Sequence, residues 1–276
     1  TLESSGYQKQ SGTNINETSL INNFYLNSNP IITKKGFKNK YIGLIKNVNN
    51  SIENGAGNRQ EETKLLSTML YELSYPMRKK MEKYDNIFTP TFSFKYSPNK
   101  TKNLRDENKR IDINNIYSID RLGANNAIEG GQSLTIGGSF KKTDKLYNNF
   151  LTFDLATSFR DKKNEDMPLT STMGDRQSDL VGKFTLKPNN FLDLYYDFSY
   201  DNNLKYSNFD SLRTKLSVNN FFTEFEYLEK NNLIGDENYI ANKSTLNLNK
   251  DSSLSFATRR NKKINLTEYY NLIYEY

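Results

Sequence analysis

Paired carboxylates are the first residues in this sequence whose spacing could do chemistry. Asp193 and Asp197, and Glu224 and Glu226, recur at even spacing, so on a strand each pair shares one face. Two acids on one face are raw material for general acid–base catalysis if their surroundings drive their proton affinities apart. No activating partner is evident, because the 276-residue chain contains neither histidine nor cysteine. That absence excludes Ser-His-Asp and Cys-His nucleophiles and any zinc site ligated by His or Cys. Lumen-lining or solvent-facing charge is the simpler reading of these acids. The sequence therefore points to no enzyme, no catalytic residue, no metal and no cofactor. Disulfides cannot form within this stretch, so cysteine usage says nothing about redox compartment.

Other motifs weaken on the same inspection. Arg78-Lys79-Lys80 and Arg259-Arg260-Asn261-Lys262-Lys263 are basic clusters in a chain of net charge +6. Acids are interspersed throughout and no binding motif accompanies the clusters, so nucleic acid is not an expected partner. Asn54-Gly55-Ala56-Gly57 lacks the longer spacing of a phosphate-binding loop and reads as a turn. Asn-x-Ser/Thr triplets at Asn16, Asn99, Asn242 and Asn265 are expected by chance in so Asn-rich a chain.

The elements that carry these residues follow from composition and period. The hydrophobic fraction is only 35%, yet aromatics reach 13%, supplied by 19 Tyr and 17 Phe with no Trp. Disordered chains are poor in aromatics, so the apolar residues must be arranged economically, one face at a time. No run of 18 apolar residues is present, which excludes a membrane-spanning helix. Period-two alternation dominates instead. Phe88, Pro90, Phe92, Phe94 and Tyr96 share one face against Thr89, Thr91, Ser93 and Lys95. Segments 149–160, 191–201, 210–218, 221–227 and 253–259 alternate in the same way, and weaker strands are expected over 16–28, 38–48, 63–75, 132–142, 178–187, 239–248 and 264–276. That makes about 12–13 strands. Short connections near 142–145, 188–190, 219–220 and 249–252 alternate with longer ones near 98–131, 161–177, 203–207 and 231–238, and a last, short one falls at 261–263. Tight turns at one end and long loops at the other describe an all-β, up-and-down antiparallel barrel of the outer-membrane type.

Strand length favours lipid over a dry core as the partner of the apolar face. A membrane strand needs about 9–11 residues, whereas soluble strands cluster near five or six. Tyr96, Tyr200, Tyr227 and Tyr274 lie near the ends of apolar rows, where an interfacial girdle belongs. Glu268 is the untidy residue. It shares a face with Ile264, Leu266, Tyr270 and Leu272, and so must lie near an interface or pair locally.

Three stretches resemble the LPS-assembly outer-membrane protein family (LptD), whose barrel inserts lipopolysaccharide into the outer leaflet. The first is the run from Asn115 through Asp120, Arg121 and Glu129-Gly130-Gly131 into the strand Ser133–Phe140. The second joins Ser158-Phe159-Arg160-Asp161 to Ser178-Asp179-Leu180-Val181-Gly182. The third is Leu272-Ile273-Tyr274-Glu275-Tyr276, similar to the strand before that family's adjacent cysteine pair, which is absent here. The resemblance covers roughly residues 85–276. It implies that residues 1–276 are a single β-barrel region, part of a larger barrel and truncated at both ends, in the outer membrane of a Gram-negative cell. It also implies the partners: lipopolysaccharide, outer-membrane lipids, a plug lipoprotein and periplasmic LPS-bridge proteins. Arg259–Lys263 would then sit at an extracellular hairpin, beside the phosphates of surface lipopolysaccharide.

The residues singled out are Asp120, Arg121, Glu129, Gly130 and Gly131 in the long 98–131 segment, expected to fold over or into the barrel with internal ion pairs, and the family-like Ser178, Asp179 and Gly182. Two alternatives stay open at this point: a porin- or receptor-type barrel, and a soluble all-β binding module.

Overall fold

A computed structural model describes residues 1–11, 15–53, 59–144, 149–231 and 236–276. The turn expected at 54–57 lies outside them. The strands are β1 (Leu2–Ser11), β2 (Ile15–Asn27), β3 (Ile31–Ile32), β4 (Lys38–Glu53), β5 (Arg59–Ser74), β6 (Met77–Lys80), β7 (Tyr84–Ser97), β8 (Gly131–Asp144), β9 (Asn149–Arg160), β10 (Leu180–Asn189), β11 (Leu192–Tyr200), β12 (Ser207–Val218), β13 (Phe221–Lys230), β14 (Glu237–Asn247), β15 (Ser253–Asn261) and β16 (Leu266–Glu275). All sixteen belong to one antiparallel sheet, and fourteen follow one another along it in chain order. The sheet is not closed, as no pairing joins β1 to β16 among the described residues. No helix there is long and apolar enough to cross a membrane.

The up-and-down class expected from period two holds, but the strand count is larger than 12–13. One added strand, β1, is mostly polar (LESSGYQKQS) and carries no apolar row to betray it. Two more are short extensions produced by proline. β3 follows β2 after Pro30 and pairs with β4, and β6 follows β5 after Pro76 and pairs with β7. Proline cannot donate to the ladder, so each long strand is interrupted and then resumes against the same neighbour.

Alternation sets the two faces. On β7 the residue Lys95 is only 3% exposed, whereas Phe94 beside it is 40% exposed. Ser93 and Ser97 are buried with Lys95, while Phe88, Phe92 and Tyr96 are exposed with Phe94. The polar row therefore points into the concave side of the sheet and the apolar row points out. The outward row from Phe88 to Tyr96 runs about 26 Å along the strand at ~3.3 Å per residue, close to the roughly 25 Å belt of an outer-membrane barrel. Inward charges on β10 to β13 pair across strands, as in Lys183–Asp197 at 3.6 Å, Lys187–Asp193 at 3.4 Å, Lys215–Glu224 at 3.3 Å and Arg213–Glu226 at 3.8 Å. The four carboxylates considered for acid–base work are all held in such inward pairs.

Turn geometry agrees with the two-ended plan. The long connections 98–130 and 161–179 lie at one end, with 201–206 and 262–265, while 190–191, 219–220 and 248–252 lie at the other, and the connections expected near 142–145 and 231–238 fall partly outside the described residues. Asn219 takes a left-handed φ of 52° in its two-residue hairpin, a conformation that asparagine tolerates. Glu268 does pair locally. It is the extra residue of a bulge opposite Arg259 and Arg260, and its carboxylate meets Arg259 Nε at 2.9 Å.

Candidate functional site in the inward-folded loop

The 98–130 connection turns into the concave side because β7 ends at a proline. Pro98 cannot extend the ladder, and Ser97 Oγ (3.0 Å) and Asn99 Nδ2 (2.5 Å) both donate to the Ser67 carbonyl on β5. Beyond that point Leu104, Ile111, Ile116, Leu122 and Ala127 bury themselves against Met167 and Met173 of the 161–179 connection and against Ala156 and Val181 of the wall. Ile119 and Ile128 pack on Leu44 and Leu70. A small apolar core thus lies inside an otherwise polar surface. Fully burying each Leu or Ile contributes about 1.5–3 kcal/mol before ordering costs. The wall beneath is built of small residues that let the loop come close. At Gly137 an added Cβ would lie 2.3 Å from the Tyr117 hydroxyl, and burial pushes that phenol's pKa above its ordinary value.

Glu129 is the polar centre of this arrangement. Its side chain is 1% exposed and meets three cations from three elements: Lys95 of β7, Arg121 of the loop itself and Arg160 at the end of β9. Arg121 Nε donates to Glu129 Oε2 at 2.8 Å, and its two terminal nitrogens donate to Ser158 Oγ and Ser133 Oγ, each at 2.8 Å. Arg160 also donates to the Gly130 carbonyl at 2.5 Å. Burial alone works to raise the Glu129 carboxyl pKa, but Arg121, Lys95 and Arg160 outweigh it and hold it well below the usual carboxylate range.

The two glycines that follow are required by space and by φ. A Cβ at Gly130 would lie 2.1 Å from the Asn99 carbonyl oxygen, and Gly131 sits at φ +88°. Asp120 anchors the loop to the opposite wall. Lys46 of β4, only 2% exposed, meets Asp120 Oδ2 at 3.1 Å and donates to the Ala124 and Ala127 carbonyls at 2.5 and 3.2 Å.

The second sequence motif joins the first through Ser158. Ser158 N donates to Ser178 Oγ at 2.9 Å while its own hydroxyl accepts from Arg121. Asp179 is 1% exposed and accepts from Ser199 Oγ at 2.7 Å and Asn208 Nδ2 at 2.9 Å. Gly182 stands apart from this network. Its Cα is covered by the Phe198 ring of β11, whose Cζ would lie 2.2 Å from an added Cβ. Sequence reasoning overlooked Lys46 and Lys95. Each is a lone cation in an inward row of small or aliphatic residues (Leu44, Lys46, Val48; Ser93, Lys95, Ser97), and that isolation is the signal that could have found them.

A polar, ion-paired inner face with an apolar outer face is compatible with an outer-membrane barrel. The family model of LPS transport system D (LptD) matches residues 8–267. The chain belongs to the LptD family. No individual curated protein matches it significantly. The LptD match takes in the inward loop, both sequence motifs and β2 to β15 entire. This is a family of LPS transport at the outer membrane, and its barrel-like strands suit that setting.

Proposed function

We propose that this chain forms the lipopolysaccharide-passing wall of an outer-membrane translocon, which inserts the lipid into the outer leaflet. The observation that carries the reading is the inversion on β7, where Lys95 is buried inward and Phe94 faces out. Such a wall offers the sugar-rich, anionic part of the lipid a hydrophilic path and presents acyl chains with a compatible exterior. An Arg or Lys on the lipid side near the midplane costs about 2–4 kcal/mol, which is why the charges collect inside. No covalent step is involved. The 98–130 loop narrows this path, tethered by Asp120 to Lys46 on one flank and by Glu129 to Lys95 and Arg160 on the other. Arg121 braces the second tether, Gly130 and Gly131 shape its exit into β8, and Ser178, Asp179 and Gly182 fix the neighbouring β10.

We read residues 1–276 as one barrel region whose strands contribute to a larger closed wall, completed by a plug lipoprotein and supplied by periplasmic bridge proteins. An open sheet in hydrocarbon leaves unpaired edges, which favours that completion. The test is delivery of lipopolysaccharide to proteoliposomes holding the full protein with its lipoprotein, supplied by the bridge proteins. Delivery that depends on this barrel supports the reading. Passage of small solutes without any lipopolysaccharide delivery would favour a porin and refute it.

A further inference from the structure

The wall has a step between β5 and β7. β7 stops at Ser97, opposite the middle of β5, and the last paired residues there are Met69 and Tyr96. Residues 59–68 of β5 continue beyond this point, paired with β4 on one side but with no described strand on the other. A cavity of about 530 Å³ lies along that edge, lined by Lys64, Leu65, Leu66, Lys100, Lys102 and Ile128 among others. Leu65 points outward, 70% exposed, whereas Leu66 packs on the inner core with Ile128. Successive strand residues point to opposite faces, so the cavity is a slot that passes the edge of the sheet.

A second cavity, of about 650 Å³, lies just below on the outer face. Its walls include Leu26, Tyr41, Met69, Tyr71, Phe94 and Tyr96, and it crosses Gly43. Only three positions along β5 separate Leu66 of the slot from Met69 of the groove, about 10 Å at ~3.3 Å per residue. The groove lies at the upper part of the apolar row that ends at Tyr96. Above it the outward row of β4 changes from Tyr41 and Ile45 to Asn47, Asn49 and Ser51. The boundary of the apolar belt therefore falls between the two cavities, at the end that carries the long loops.

We propose that the stacked cavities bind a lipopolysaccharide molecule resident in the outer leaflet, on the outside of the wall. Its acyl chains lie in the groove over Gly43 and its anchor phosphates meet Lys100 and Lys102, with Lys64 alongside in its pair with Glu62. Three lysines against the single carboxylate of Asp166 in the slot make it complementary to an anionic headgroup. The groove spans β2, β4, β5 and β7, about 14 Å at ~4.8 Å per strand spacing, which suits several chains side by side better than the two of a phospholipid. The long-loop end places the headgroup on the cell-surface side. This assignment rests on the outer-membrane transport reading above.

The test measures lipopolysaccharide retained by the full protein with its lipoprotein, purified in nanodiscs of neutral phospholipid and read by native mass spectrometry. Wild type is compared with a Lys100→Gln/Lys102→Gln variant and with Gly43→Leu, whose Cβ would meet only Leu26 at ordinary contact distance, 3.5 Å. The double lysine variant is expected to retain about thirtyfold less lipopolysaccharide, and Gly43→Leu is expected to retain less than wild type while delivering it through the lumen at the wild-type rate. Equal retention in all three proteins overturns the proposal, as does phosphatidylglycerol displacing lipopolysaccharide at equal concentration. Wild-type retention with no delivery by any protein overturns the transport reading instead and leaves the site standing. Normal delivery with no retention difference overturns the site alone.

Discussion

Glu129→Gln is the substitution that most directly probes how the loop is held. The side chain keeps its size but loses its charge, so Lys95, Arg121 and Arg160 are left facing one another in a space where the carboxylate was 1% exposed. Removing one partner of a buried ion pair is destabilising by about 3–5 kcal/mol, since the remaining charge is left without compensation. Here three cations are left, so the upper half of that range applies. The loss falls on docking of the 98–130 loop and not on the ladder, whose backbone hydrogen bonds do not involve Glu129. At about 1.4 kcal/mol per factor of ten, the docked-to-undocked ratio drops by roughly three to four orders of magnitude. Hydrogen–deuterium exchange of peptides from 98–130 should speed up accordingly, while peptides from β11 to β14 exchange as in wild type. Adding Lys95→Met to Glu129→Gln should restore part of the protection, because it removes one uncompensated charge. Unchanged exchange of the loop in Glu129→Gln, in a protein whose barrel is intact, would refute the idea that this cluster anchors it.

Protection of the same loop should be flat from about pH 6 to 5 and decline below about pH 4. The cations hold the folded pKa of Glu129 below its unfolded value near 4.3, so its contribution is complete above that value and is lost as pH falls toward the folded pKa. Exchange followed across this range checks the sign. Gly130→Ala should loosen the loop by about 1–3 kcal/mol, since the added methyl meets the Asn99 carbonyl at 2.1 Å and the backbone must shift; exchange and thermal melting in detergent read it. Phe92→Arg should weaken insertion into bilayers by about 2–4 kcal/mol, whereas Thr91→Arg, which faces the lumen, should not, as equilibrium folding into lipid vesicles can measure. Equal effects from those two would contradict the assignment of faces.

The fold class was legible because a strand's period of two is a local property. Phe88 to Tyr96 declare an outward row without reference to any other residue, and even the outlier Glu268 announced that it needed a neighbour. What escaped was local in a different way. β1 carries no apolar row, and the prolines at 30 and 76 hide β3 and β6 because they interrupt pairing without ending it. Within the site, Asp120, Arg121, Glu129, Gly130 and Gly131 stood out through a family resemblance, whereas Lys46 and Lys95, distant in the chain, did not.

By itself, then, the order of residues determined which side of each strand is apolar, where tight turns and long loops alternate, and that no histidine or cysteine chemistry is available. Only tertiary structure decided that the long loop bends inward, that one carboxylate gathers cations from β7, β9 and its own loop, and that β7 ends partway along β5. The physical reason is range. Alternation is written within a few residues, whereas a buried charge is tolerable only when partners far away in the chain arrive together, and no sequence window contains that meeting.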